Sequence, residues 1–262
     1  MSARVTALIA GAVFRESVRD RVPYSMVIFA ALLMAASFLI AQLTAGQDMK
    51  IIKDLGLAAL SLFGLMIAVF IGIGLVSKEV ERKSVYGLLT KPVTRAEFIL
   101  GKYAGLVVTL LVNLTVMTAL FYAVLLYLTT TSGTAAADPR LLIAIVLIFA
   151  ELMLVTAIAL FFSTFASPLL AAMLTLGLWF AGHFNEDLRQ FEKVVDVPAA
   201  AWLAKALYYV LPNLAPFDVK AEVVHGLPVA ASHVAYTLAY AAIYVSVLLL
   251  GSTAIFRQRD FK

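Results

Sequence analysis

Few residues in this chain are equipped for chemistry, and most of those are spread far apart. Glu151 is the most informative, because it sits inside a long apolar run at 140–165 with no other charge near it. A charge at the centre of a membrane-spanning helix costs ~2.5–3.5 kcal/mol on insertion scales, so such a residue must face protein or water. Two readings follow. Glu151 is either a carboxylate lining a substrate path or gate, or a protonated acid hydrogen-bonded to a neighbouring helix, since burial favours the neutral carboxyl. Asn113 lies at comparable depth in another apolar run and is the expected partner. Thr109, Thr115 and Thr118 share that run, and such side chains tie helices together more often than they line a pathway. The three histidines, His183, His225 and His233, are widely spaced and fall at one edge of the apolar runs, so no metal site is expected. Without cysteine there is no disulfide, thiolate chemistry or cysteine metal site. No G-x-S-x-G elbow is present and no histidine falls at a run centre, which disfavours an intramembrane hydrolase. Gly101-Lys102 is followed by Tyr103 and lacks the upstream glycine of a phosphate loop. Gly64, Gly72 and Gly74 therefore read as helix-packing positions rather than part of a nucleotide loop. No catalytic residue is assigned.

The elements that must hold these residues are legible from composition. The chain is 63% hydrophobic and 14% charged, against roughly 45–50% and about 25% in soluble domains. Its mean hydropathy is +0.98. A soluble fold of 262 residues cannot hide that much apolar surface, but a bilayer can. Six runs are long enough to approach the ~20 residues that cross ~30 Å of hydrocarbon: 23–45, 55–77, 103–128, 140–165, 167–183 and 232–256. They are continuous rather than alternating, which makes them helices, because only helices and closed barrels satisfy their backbone in lipid. Pro168 suits the first turn of the fifth and shortest run. Trp179 and His183 at its end, with Trp202, Tyr208 and Tyr209 beyond, read as interface anchors.

Lysine and arginine set the orientation. Segments 1–22, 78–102 and 257–262 hold 13 of the 20 basic residues, and the alternate segments hold the other seven. The positive-inside rule puts both termini in the cytoplasm. The sequence pI of 9.2 reports this asymmetry and not nucleic-acid binding. Residues 1–22 place Val5, Leu8, Ile9, Ala12 and Val13 at helical spacing, as an amphipathic helix on the inner face would. Residues 184–231 form the largest outer segment, half apolar and containing four prolines, and are expected to be re-entrant or interfacial.

Residues 78–102 form the long cytoplasmic loop. Its first part, with Glu79, Glu81, Arg82 and Lys83, should continue the second span beyond the membrane. Ser84, Val85, Tyr86, Leu88 and Leu89 follow as a small apolar tip, then Lys91 and the helix-breaking Pro92. Thr94 with Glu97 is a capping-box pattern that would start the third span. An exposed apolar tip on a charged loop suggests a partner surface, the alternative being contact with lipid headgroups.

These residues resemble a known family. The stretch 78–102, KEVERKSVYGLLTKPVTRAEFILGK, is similar to the ABC-2 type transporter permeases. FRESVRDR at 14–21 resembles their N-terminal amphipathic helix, and IFRQRDF at 255–261 resembles their basic tail. LPNLAPF at 211–217 resembles a segment of the subgroup that includes the nitrous-oxide-reductase maturation permease. The resemblance covers essentially the whole chain. It implies an all-α membrane protein, a single permease domain over 1–262 with six transmembrane helices and the ABC-2 (type V exporter-like) fold. It further implies a second permease copy, identical or related, and two cytoplasmic ABC ATPase subunits that bind the ATP and Mg. The stretch around Ser84–Lys91 would be the coupling helix, flanked by Glu79, Glu81, Arg82, Lys83 and Pro92, with the turn Ser163–Pro168 as a second contact. The expected product is a multi-pass permease of the bacterial inner membrane, non-catalytic and without a cofactor of its own. It would export or extrude a substrate, hydrophobic given the charge-poor spans, or act mechanically on a periplasmic or accessory protein. A secondary transporter or channel is the alternative, but loop, tail and lack of internal repeats speak against it.

Overall fold

The computed structural model describes residues 3–19, 21–41, 48–81, 94–132, 138–185, 202, 208 and 211–258. Every regular element among them is helical. In chain order these are α1 (Ala3–Arg19), α2 (Arg21–Ala41), α3 (Asp48–Glu81), α4 (Arg95–Ser132), α5 (Leu141–Ser163) and α6 (Pro168–His183). A 3-10 turn (Ala215–Phe217), the short α7 (Lys220–Val224) and α8 (Ala231–Gln258) follow. Among the described residues four stretches are long and apolar enough to cross a membrane: Met49–Gly74, Arg95–Thr130, Leu141–Ser163 and Ala231–Phe256. Pro168–His183 is a shorter apolar helix.

α5 is the axis of the bundle. It packs against α3, α4, α6 and α8, and the 3-10 turn and α7 also reach it. Its sequence explains this: Leu, Ile, Val, Ala and Phe occur all round the helix, and such a helix must meet protein or lipid on every side; Leu142 and Val146 remain exposed. Ala144, Leu147, Leu154, Val155 and Ile158 are all fully buried. Small residues bring α3 close. A Cβ on Gly72 would come within 2.8 Å of the Ala159 Cβ, and one on Gly64 within 2.5 Å of a Leu152 methyl. The expected glycine packing thus holds at these two positions, whereas Gly74 has nothing within 4 Å.

The end of the bundle where α4 starts and α8 finishes is tied together by polar contacts. Thr94 and Glu97 form the expected capping box at the start of α4: the Thr94 N–H donates to Glu97 Oε2 at 3.0 Å, and the Glu97 N–H donates to Thr94 Oγ1 at 3.3 Å. Two of the free N–H groups of that helix end are thereby satisfied. Arg95 then donates to the carbonyl oxygen of Phe256 at 2.6 Å. The Phe98 and Phe256 rings stack at 5.7 Å. The start of α4 and the end of α8 are therefore one joint.

α1 crosses the same region of α4. Gly101 and Gly105 form a shelf without side chains, and Ile9 and Val13 press on it: a Cβ on Gly105 would lie 2.7 Å from both the Ala10 carbonyl oxygen and the Val13 Cβ. Of the expected apolar stripe, Val13 is buried here, while Leu8 and Ala12 are exposed.

Candidate functional site

The site is built around Glu151, which stands near the middle of α5 and is only 3% exposed. The chain leaves α5 through the tight turn at 164–167, where the Ala166 N–H donates to the Phe162 carbonyl at 2.8 Å. It re-enters helix at Pro168, which occupies the first turn as expected. α5 and α6 are thus a helical hairpin, and Glu151 and Trp179 lie equally far on either side of Phe165. The Trp179 indole Nε1–H donates to Glu151 Oε1 at 2.6 Å. One turn further along α6, His183 Nε2 lies 3.5 Å from the same oxygen. His183 Nδ1 is 3.1 Å from the carbonyl oxygen of Trp179, and the two rings are 4.6 Å apart.

A cover closes over this cluster from the segment between α6 and α8. The Leu214 N–H donates to the Gly182 carbonyl at 2.9 Å. Gly182 permits the approach, since a Cβ there would sit 2.7 Å from the Pro212 carbonyl oxygen. The Asn213 N–H donates to the Tyr240 hydroxyl at 2.9 Å, which fixes the segment to α8. Leu214 and Phe217 are fully buried. His233 Nε2 contacts the Pro216 carbonyl oxygen at 2.9 Å. LPNLAPF is therefore a packed plug between α6 and α8. Beside it, a cavity of about 440 Å³ is lined by Asp218, Glu222, His233 and the prolines 216 and 228.

Several expectations need correction here. Asn113 does not partner Glu151: its Nδ2 donates to the Thr109 carbonyl of its own helix at 2.8 Å. Thr109 and Thr115 likewise donate to carbonyls four residues back, at 2.9 and 2.7 Å, and do not tie helices together. A hydroxyl in an apolar bundle finds its nearest acceptor on its own backbone. Trp179 is not a free interface anchor, and His183 is not remote from the span centre, because the hairpin brings both to Glu151. Lys102, counted with the cytoplasmic loop, is 1% exposed, with Nζ 4.6 Å above the Phe98 ring. Among the described residues no group of three His, Cys, Asp or Glu is arranged to hold a metal.

The family model for ABC-2 family transporter proteins matches residues 7–185, more than half of the chain. The chain belongs to the ABC-2 transporter family. It is a multi-pass membrane protein and the permease component of an ABC transporter. No curated protein matches it. The matched stretch of this ABC-2 permease runs from α1 through the α5–α6 hairpin and includes the whole segment 78–102. Of the expected ATPase-coupling residues, Glu79 and Glu81 lie on the last turn of α3. Arg82, Lys83, Ser84, Val85, Tyr86, Leu88, Leu89, Lys91 and Pro92 lie outside the described residues. The turn after α5 presents Phe165, which is 43% exposed.

Proposed function

We propose that this ABC-2 permease couples ATP hydrolysis by a separate cytoplasmic ATPase to export or extrusion of a hydrophobic substrate, or to mechanical work on a periplasmic or accessory protein. The observation that carries the reading is the family match across α1–α6. In this reading the chain is one domain with six spans, α2 and the shorter α6 joining the four long ones. α1 lies along the cytoplasmic face and both termini are cytoplasmic in a bacterial inner membrane. A second permease copy, identical or related, completes the pathway, and this chain falls in the subgroup that includes the nitrous-oxide-reductase maturation permease. Two ATPase subunits bind ATP and Mg and dock on Ser84–Lys91, with Glu79, Glu81, Arg82, Lys83 and Pro92 around it and the turn at 163–168 as a lesser contact.

The joint at Arg95 and Phe256 supports this reading physically. A push on the loop before Thr94 enters α4 at a helix end that is capped, buried at Glu97 and bound to the last span. Such an end moves as a body rather than fraying. The test is purification of the tagged permease from its native membrane. An ABC ATPase should co-purify, and ATP turnover should follow it and be absent from the isolated permease. Recovery of an active transporter with no ATPase attached would leave the secondary-transporter reading in its place.

A further inference from the structure

The contact between α5 and α6 carries a consequence that stands whether or not an ATPase binds. Hydrogen-bond roles at His183 are constrained by its neighbours. The Trp179 carbonyl oxygen, 3.1 Å from His183 Nδ1, can only accept, so Nδ1 carries a hydrogen. That leaves Nε2, 3.5 Å from Glu151 Oε1, with either a lone pair or a second hydrogen. A bare Nε2 facing a bare carboxylate would set two acceptors against each other in a site where Glu151 is 3% exposed. An imidazolium facing a carboxylic acid would bury a net positive charge. One proton between the two groups gives a neutral pair in either arrangement, as acid with imidazole or as carboxylate with imidazolium. Net neutrality is what a buried pair requires if it is not to cost several kcal/mol.

We propose that Glu151 and His183 form a proton-binding site that holds a single shared proton and latches the far end of α6 to the middle of α5. Charge from the surrounding elements is sparse and balanced. Lys220 and Asp218, which pair with each other at 3.5 Å, are the further charged groups that act on the carboxyl among the described residues. Trp179 contributes a non-titrating donor. α4 contributes Tyr103, whose hydroxyl donates to the Met153 carbonyl at 3.2 Å. α8 contributes Tyr240, whose hydroxyl accepts from the Asn213 N–H. α3 meets this part of α5 with Gly64, which carries no charge. His183 is the more open of the two groups, its side chain 21% exposed against 4% for Glu151. The LPNLAPF plug bonds α6 at Gly182, immediately before the latch, so moving one moves the other.

The experiment is to read both groups in the intact permease in lipid nanodiscs at pH 8, well above the ordinary imidazole value of about 6.5. Nitrogen-15 NMR of labelled histidine reports the His183 ring, with only His225 and His233 as competing signals. Infrared spectroscopy reports the protonated carboxyl, assigned by its loss in Glu151→Gln. If that variant fails to fold, Glu151→Asp moves the band without removing the carboxyl. The expected result is a His183 with Nδ1–H and a single proton on the pair, seen either as a carboxylic acid band or as an imidazolium. In the first case Glu151→Gln removes the band. In the second it returns His183 to the neutral ring at pH 8, at least a tenfold loss of proton affinity. A wild-type His183 with bare Nδ1, a neutral ring beside an ionised Glu151, or an imidazolium beside a carboxylic acid would each overturn the proposal.

Discussion

At the scale of single residues the account turns on Glu151 and the two α6 side chains that meet it. Glutamine has nearly the shape of a glutamic acid, and its amide oxygen can accept from the Trp179 indole. Glu151→Gln should therefore insert, fold and melt close to the wild type. Glu151→Lys places an ammonium beside His183 and leaves the indole without its acceptor, so it should lose ~2.5–3.5 kcal/mol and most of the assembled protein. Yield and melting of the detergent-extracted protein separate the two. If Glu151→Gln folds but transport stops, the carboxyl works in the cycle and does not merely hold the bundle. Trp179→Phe keeps the ring and removes the donor, and should cost about 1–3 kcal/mol. Glu151 was legible in the sequence because an isolated charge in an apolar run is conspicuous. Its partners were missed because Trp and His near a span end also suit an interface. The signal that finds them is hairpin register: a short turn at Phe165 pairs residues at equal distances from it.

At the scale of elements, the capping box and the glycine shelf make separate predictions. Thr94→Ala removes the side-chain acceptor at the first turn of α4 and should cost ~0.5–2 kcal/mol, read as earlier thermal unfolding. Gly105→Leu has to displace α1, because the new side chain would start against the Ala10 backbone. Overpacking of this kind costs about 1–3 kcal/mol. Protease cleavage within 3–19 should rise sharply in Gly105→Leu and stay unchanged in Gly74→Ala, where nothing lies within 4 Å. Equal cleavage in both would mean that α1 is not held by the shelf. The capping pattern and Pro168 could be read ahead of the structure because both depend on neighbours in sequence. The shelf could not, since Gly101 and Gly105 are noteworthy only once it is known that α1 folds back over them. The prolines of 184–231 mark that segment as something other than a plain span, but the attachment of 211–217 to Gly182 and Tyr240 depends on tertiary packing.

At the scale of the whole molecule, the proposed orientation and coupling can each be tested. With no native cysteine, single tags are clean reporters. Lys50→Cys and Thr134→Cys should react with impermeant reagents outside sealed cells, and Lys262→Cys should not. Labelling at 262 would invert the bundle and remove segment 78–102 from the ATPase. The central claim is that this segment transmits ATP hydrolysis into the spans. Tyr86 is its best anchor, since an aromatic in a partner pocket can be worth ~2 kcal/mol or more. The spans are held independently by lipid and packing, so truncating Tyr86 should not unfold the permease. The decisive measurement is permease-stimulated ATP turnover by the co-purified ATPase, for wild type, Tyr86→Ala and Leu88→Asp at matched membrane levels. Normal insertion with stimulation reduced at least tenfold is expected in both variants. Wild-type recruitment and turnover in both would show that the segment is not the coupling element.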